Sequence, residues 1–232
     1  MEKFPMRINK YLAWKKYSTR RGADELIEAG RVFINGREAV LGDKVNEDDD
    51  VHVKGGVDTS SLVYFAYNKP IGIVTHSAEE NQEDIGGVFP IRGVFPVGRL
   101  DKDSHGLIIL TNDGRVTDRL LNPEYTHDKE YVVRTSTKLP SNFKRRMETG
   151  VNIEGYVTKP CTVSVIGSYS FKIILTEGKK HQIRRMCSAL RVELADLKRI
   201  RILNINLGGL KEGSYRKIEG KELETFKKKI GL

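Results

Sequence analysis

Gly98-Arg99-Leu100-Asp101-Lys102-Asp103-Ser104-His105-Gly106-Leu107-Ile108-Ile109-Leu110-Thr111-Asn112-Asp113-Gly114 is the stretch whose reading organises the rest of the chain. It joins a polar loop, with Asp101 and Asp103, to an apolar run from Gly106 to Thr111 that ends in Asn112-Asp113-Gly114. A short apolar run closed by turn residues reads as a buried strand. A carboxylate held at the edge of such a strand can act as nucleophile or base when a nearby cation keeps it ionised and its neighbours fix its rotamer. Asp113 sits in a turn, where Asp is common for backbone reasons, and Asp103 can cap the turn before Ser104. Spacing alone does not choose between Asp101 and Asp103.

Outward from this strand, the chain after Leu62 repeats one type of element. Leu62 to Asn68, Tyr131 to Thr135, Thr162 to Ile166 and Phe171 to Thr176 read as short strands separated by turn residues. Helices are expected near Arg115, from Gln182 to Leu190 and from Lys221 to Lys229. The strands mostly follow one another without β-α alternation, which favours an α+β domain with a mixed, largely antiparallel sheet flanked by helices.

The first fifty or so residues differ. Ile8, Tyr11 and Leu12 are spaced as on an amphipathic helix, and a second helix follows Ser18-Thr19 as N-cap and stops at Gly30. Arg31 to Val40 then reads as a hairpin about Asn35-Gly36. Gly55-Gly56 breaks the pattern, which places a small module at 6–53, a linker at 54–61 and a larger domain at 62–232.

Across 232 residues, 40 Lys and Arg oppose 31 Asp and Glu, a formal +9 with only 38% hydrophobic residues. Such a chain is attracted to polyanions. Residues 7–44 hold nine basic and five acidic side chains, and residues 179–201 hold eight and two, so these stretches carry the excess. Glu47 to Asp50 reads as an acidic turn facing water. No apolar run approaches the roughly 20 residues needed to span a bilayer, and Met1 to Lys10 lacks a signal-peptide core. A cytoplasmic protein is expected, with Cys161 and Cys187 as reduced thiols. His52, His76, His105, His127 and His181 lack zinc-site spacing, and no phosphate-binding glycine loop is present. Neither metal nor cofactor is expected.

Two families are resembled. Arg7-Ile8-Asn9-Lys10-Tyr11-Leu12, Ser18 to Gly30 and Val32-Phe33-Ile34-Asn35-Gly36 are similar to the S4 RNA-binding domain. That resemblance implies docking on folded RNA through Arg7, Lys10, Arg20, Arg21, Arg31 and Lys44, contacts that position a protein without reading bases. G-R-L-D-x-D-S-x-G-L-x-x-L-T-N-D-G resembles the catalytic motif of RNA pseudouridine synthases of the RsuA, RluB, RluE and RluF branch, many of which carry Thr where Ser104 stands here. Tyr67-Asn68-Lys69-Pro70-Ile71-Gly72, Lys129-Glu130-Tyr131 and Glu177 to Met186 match further motifs in order.

The resemblance implies that Asp101 is the catalytic carboxylate, that Arg184 pairs with it in a buried contact, and that Tyr131 stacks on the uracil and serves in proton transfer at C5. It also offers Lys69, Arg99, Lys180 and Arg185 as phosphate clamps for a uridine drawn from its stack, an extrusion that costs a few kcal/mol. The implied reaction breaks the N1–C1′ bond, turns the base and rejoins it through C5, with no group lost and no cofactor. Asp128 to Tyr131, Gly155 to Lys159 and Arg184 to Cys187 look most like the RluF type. The implied partner is therefore ribosomal RNA of the large subunit (23S) rather than the 16S type, bound by a monomer with no obligatory protein partner. A binding-only S4 protein would not need Asp101. A carboxylate glycosidase would need two acids flanking the scissile bond.

Overall fold

The structure is a computed structural model that describes residues 4–15, 17–18, 20–54, 62–76, 79–80, 82–122 and 124–232. It falls into two compact units, residues 1–62 with 113–118, and residues 63–112 with 119–232. The expected linker lies almost wholly outside the described residues, as does Thr19 of the expected N-cap.

In the first unit β1 (Met6–Arg7) leads into α1 (Ile8–Trp14), and α2 (Arg20–Glu28) follows. Ile8, Tyr11 and Leu12 turn inward from α1 and meet Ala23 and Ile27 of α2 in one apolar cluster. Gly30, at φ +65°, ends the second helix as the sequence suggests. β2 (Val32–Ile34) and β3 (Arg37–Glu38) form the expected hairpin, with Asn35 at φ 51° and Gly36 at φ 80°. Positive φ at both turn residues matches the right-handed twist of the strands. β4 (Lys44–Val45) pairs with β1, and β5 (Val51–Val53) pairs with β2.

The second unit is built on β6 (Tyr64–Lys69), β7 (Phe95–Val97), β8 (His105–Thr111), β9 (Lys129–Thr135), β12 (Thr162–Gly167), β13 (Ser170–Leu175), β14 (Leu194–Ile202), β15 (Ile205–Asn206) and β16 (Tyr215–Lys217). They form one nine-stranded sheet in the order β12-β13-β9-β14-β8-β6-β16, with β7 on β8 and β15 on β14. Only the β14–β8 pairing is parallel. This is the mixed, largely antiparallel sheet that the strand pattern suggests.

β8 is buried from Gly106 to Thr111, the continuous apolar signature of a strand covered on both faces. α5 (Phe143–Glu148) and α6 (Gln182–Ala189) pack Phe143, Met147, Ile183 and Met186 against Val133, Phe171 and Ile173 of the sheet. α3 (Ile85–Val88) joins a second cluster with Phe65, Tyr67, Phe89, Ile108 and Leu110. α4 (Arg115–Leu121), the small hairpin β10 (Asn152–Ile153) and β11 (Tyr156–Val157), and the closing α7 (Gly220–Lys229) complete the elements.

β14 corrects the sequence reading, which assigns no strand to 194–202. This nine-residue strand lies between β9 and β8 near the middle of the sheet. Lys198, Arg199 and Arg201 make it look like part of a solvated basic segment. The fold instead buries Arg199 at 3% exposure and pairs Arg201 with Glu130 at 2.7 Å.

Candidate active site

The structure separates the three acids of the opening stretch. Asp113 is 2% exposed, and its carboxylate accepts from the Arg115 side chain at 2.7 and 2.8 Å and from the Arg115 backbone N–H at 3.2 Å. It is a structural group at the start of α4. Asp103 is exposed and gives its backbone carbonyl to Arg184 at 2.8 Å. Asp101 alone of the three presents its carboxylate to two side chains of the α6 region: Oδ1 lies 3.5 Å from His181 Nε2, and Oδ2 lies 4.0 Å from Arg184 Nε.

The loop carrying Asp101 is pinned along its length. Thr75, nearly buried, donates its hydroxyl to the Leu100 carbonyl at 2.7 Å and accepts from the Leu100 N–H at 3.0 Å. Gly72 N–H donates to Lys102 O, and Ser104 N–H closes a turn on Asp101 O. Buried Ser104 accepts from Arg184 Nη2 at 3.0 Å through its hydroxyl, so Arg184 grips the loop through the Asp103 carbonyl, Ser104 and the Asp101 carboxylate together.

The expected buried Arg contact is not what forms. The Asp101 and Arg184 side chains are 38% and 30% exposed. An open carboxylate is the arrangement a macromolecular substrate can reach.

α6 is held from below by Glu177. Its carboxylate accepts from Tyr156 Oη at 2.5 Å, from Gln182 Nε2 at 2.7 Å and from the Lys159 N–H at 2.9 Å. His181, immediately before α6, adopts φ 52°. The sequence reading weighed His181 as a metal ligand and quoted it within the Glu177 to Met186 stretch, but gave it no place beside Asp101; its position three residues before Arg184 is the signal that could have found it.

Tyr131 lies on β9, partly buried against the α5–α6 cluster. Register places it opposite Arg199 of β14, which in turn stands opposite Gly106 of β8. The backbones at Gly106 and Tyr131 are thus two strand spacings apart, roughly 10 Å.

The offered phosphate contacts divide sharply. Arg99 and Lys180 are exposed beside the Asp101 loop and the start of α6. Lys69 is corrected: it is 0% exposed, and its ammonium donates to the carbonyls of Pro70 at 2.8 Å and Ile73 at 2.6 Å. Burial pulls its pKa down to about 8, opposed by the charges of Asp101, Asp103 and Glu212. A lysine closed in this way faces no phosphate. Arg185 is also engaged, with Glu154 at 2.7 Å and the Ile153 carbonyl at 3.2 Å.

In the first unit Arg7 and Lys44 are exposed and stand opposite each other across β1 and β4. Lys10 and Arg31 are half-buried, the latter donating to the Lys54 carbonyl. The side chains of Arg20 and Arg21 lie outside the described residues.

An open, pinned carboxylate beside His181 and Arg184, in a chain that also carries a small basic module, is an arrangement suited to an RNA-modifying enzyme. The chain belongs to the RNA pseudouridylate synthase family, whose model matches residues 63–189, while the S4 domain model matches residues 6–51. It therefore isomerises uridine to pseudouridine in RNA. The chain is 41% identical over 228 residues to the dual-specificity RNA pseudouridine synthase RluF of Escherichia coli strain K12, covering 96% of this chain and 79% of that one. It is 32% identical over 233 residues to ribosomal large subunit pseudouridine synthase B of Bacillus subtilis strain 168, covering 95% of each. A crystal structure of a pseudouridylate synthase superposes with a TM-score of 0.71 at 27% identity, over 97% of this chain and 99% of that one. Among the described residues no helix is long and apolar enough to cross a membrane.

Proposed function

We propose that Asp101 starts the isomerisation of uridine in ribosomal RNA of the large subunit. The observation that carries this reading is the Asp101 carboxylate, reachable from solvent and set against His181 and Arg184 on a loop pinned by Thr75, Gly72 and Arg184. The His181 imidazole and the Arg184 guanidinium stand where they can pair with the carboxylate that acts in cleavage of the N1–C1′ bond. Tyr131, on the strand two places away from β8, stacks on the freed uracil and serves in removing the C5 proton once C5 has joined C1′. Arg99 and Lys180 take the flanking phosphates. The base returns through C5, the C5 proton leaves to solvent and N1, freed from C1′, takes up a proton in its place, so atoms balance without a second substrate.

Residues 6–53 dock the RNA, with Arg7, Lys10, Arg20, Arg21, Arg31 and Lys44 as the phosphate-facing set, and residues 62–232 carry the chemistry. The large-subunit assignment draws on the name of the Bacillus subtilis relative and on the RluF-type stretches of this sequence. Cys161 and Cys187 are free, and burial pushes their thiols up to about 11 and about 12, as suits inert cysteines of a cytoplasmic protein.

Asp101→Asn abolishes pseudouridine formation on 23S rRNA while RNA affinity stays close to that of the unaltered protein. Retained turnover would overturn the role of Asp101. Pseudouridine mapping in rRNA from cells lacking the protein then identifies the missing site, and a loss confined to 16S rRNA would overturn the large-subunit assignment.

A further inference from the structure

Behind the Asp101 loop lies a charged side chain that belongs to none of the motif stretches. Arg199 is 3% exposed, on β14 between β8 and β9. Its Nε donates to the Leu107 carbonyl at 2.7 Å and its Nη1 to the Arg99 carbonyl at 3.4 Å. Those two carbonyls bracket Asp101, so a single guanidinium joins the two ends of the loop. Its Nη2 has no hydrogen-bond partner, and among the described residues no carboxylate forms an ion pair with it.

A guanidinium buried with only carbonyl partners is costly, and an apolar side chain of similar volume would often fill such a place at lower cost. Departures of this kind from the cheapest packing concentrate where function requires them. The backbone tells the same story. A Cβ at Gly106 would lie 2.3 Å from the Arg199 carbonyl oxygen, so the loop's exit strand runs hard against Arg199, whose other neighbour in the row is Tyr131.

We propose that Arg199 is a positioning residue for the isomerisation: it closes the 99–107 loop and fixes Asp101 in register with the strand that carries Tyr131. Planarity matters here, because a guanidinium spans two carbonyls where an ammonium on the same strand serves one. The proposal rests on the reading of Asp101 given above, and the test separates the two.

Full-length protein is prepared unaltered and as Asp101→Asn, Arg199→Lys and Arg199→Met. Single-turnover pseudouridine formation and binding are measured on 23S rRNA, with hydrogen exchange of the amides from 99 to 107. Arg199→Met is expected to slow the chemical step about 10–100-fold at unchanged RNA affinity, with faster exchange confined to 99–107. Arg199→Lys, which keeps the charge, recovers part of the rate and part of the protection. Should Arg199→Met not fold, Arg199→Lys alone decides by the same rate and exchange measurements. Unchanged exchange in 99–107, an unchanged rate, or a loss spread through the sheet with an equal loss of RNA affinity would overturn the proposal. Turnover by Asp101→Asn would instead overturn the reading of Asp101 and leave the exchange result to judge Arg199.

Discussion

The two basic stretches of this chain, 7–44 and 179–201, look alike in sequence and are used in opposite ways. In the first, Arg7 and Lys44 face outward on paired strands. In the second, Arg199 is buried, Arg201 is held by Glu130, Arg185 by Glu154, and Arg184 by the Asp101 loop. Lys179 lies 4.5 Å over the Tyr156 ring, and Lys180 is exposed. A positive segment can therefore be tied largely to partners within its own chain. Counting charge measures attraction to RNA only for the cations that reach water.

The largest expected effect tests a buried cation outside both stretches, enclosed in the way Arg199 is. Lys69→Ala removes a buried side chain and leaves the Pro70 and Ile73 carbonyls without their donor. Unsatisfied carbonyls and a cavity together predict a loss of about 3–5 kcal/mol, read as a lowered urea midpoint, with RNA affinity of the folded protein unchanged. Weakened RNA binding at an unchanged midpoint would return Lys69 to the phosphate-facing set and break the comparison.

The outward group is tested by Arg7→Ala with Lys44→Ala. If both contact phosphate, the salt dependence of RNA binding flattens by about 2 in its log–log slope, while the urea midpoint moves little, because exposed cations contribute little to folding. An unchanged slope would mean that these cations face water without meeting RNA.

What the sequence made legible follows from which forces are local. The Asn35-Gly36 hairpin, the helix with Ile8, Tyr11 and Leu12 turned inward, and the apolar strand after Gly106 are each set by residues close in the chain. Asp101 was singled out by resemblance, since Asp101 and Asp103 share a loop and only the folded chain sets one of them against His181 and Arg184. β14 was hidden because its inward Arg199 is held by carbonyls from residues 99 and 107, nearly a hundred positions away. Lys69 was misread for the same reason: the spacing of Asn-Lys-Pro says nothing of the carbonyls that enclose its ammonium. Short α3 and α5 carry too few turns for a periodic signal.

The smallest effect sharpens the comparison by titration. Lys129, on the same face of β9 as Tyr131 two residues on, has its pKa pulled down to about 8 by burial and then by the charge of Arg199, with Asp128 opposing. Lys69 also lies at about 8. Below that pH both lysines are protonated in the folded and unfolded chains alike, and the cost of burying charge is present in full. Above it the folded protein sheds protons that the unfolded chain still binds, so the two lysines contribute stability that rises with pH between about 8 and 9.5, while buried Cys161 and Cys187 keep protons that the unfolded thiols lose and oppose part of that rise. Higher still, Tyr11 and Tyr67 act in the opposite sense, because burial raises their pKa and the folded state then holds the extra proton. Lys129→Met should remove about half of the lysines' contribution between pH 8 and 9.5 and so most of the net rise, measured as the difference in urea midpoint at the two pH values. If Lys129→Met leaves the full rise, burial of Lys129 beside Arg199 of the second basic stretch does not set the pH dependence of stability.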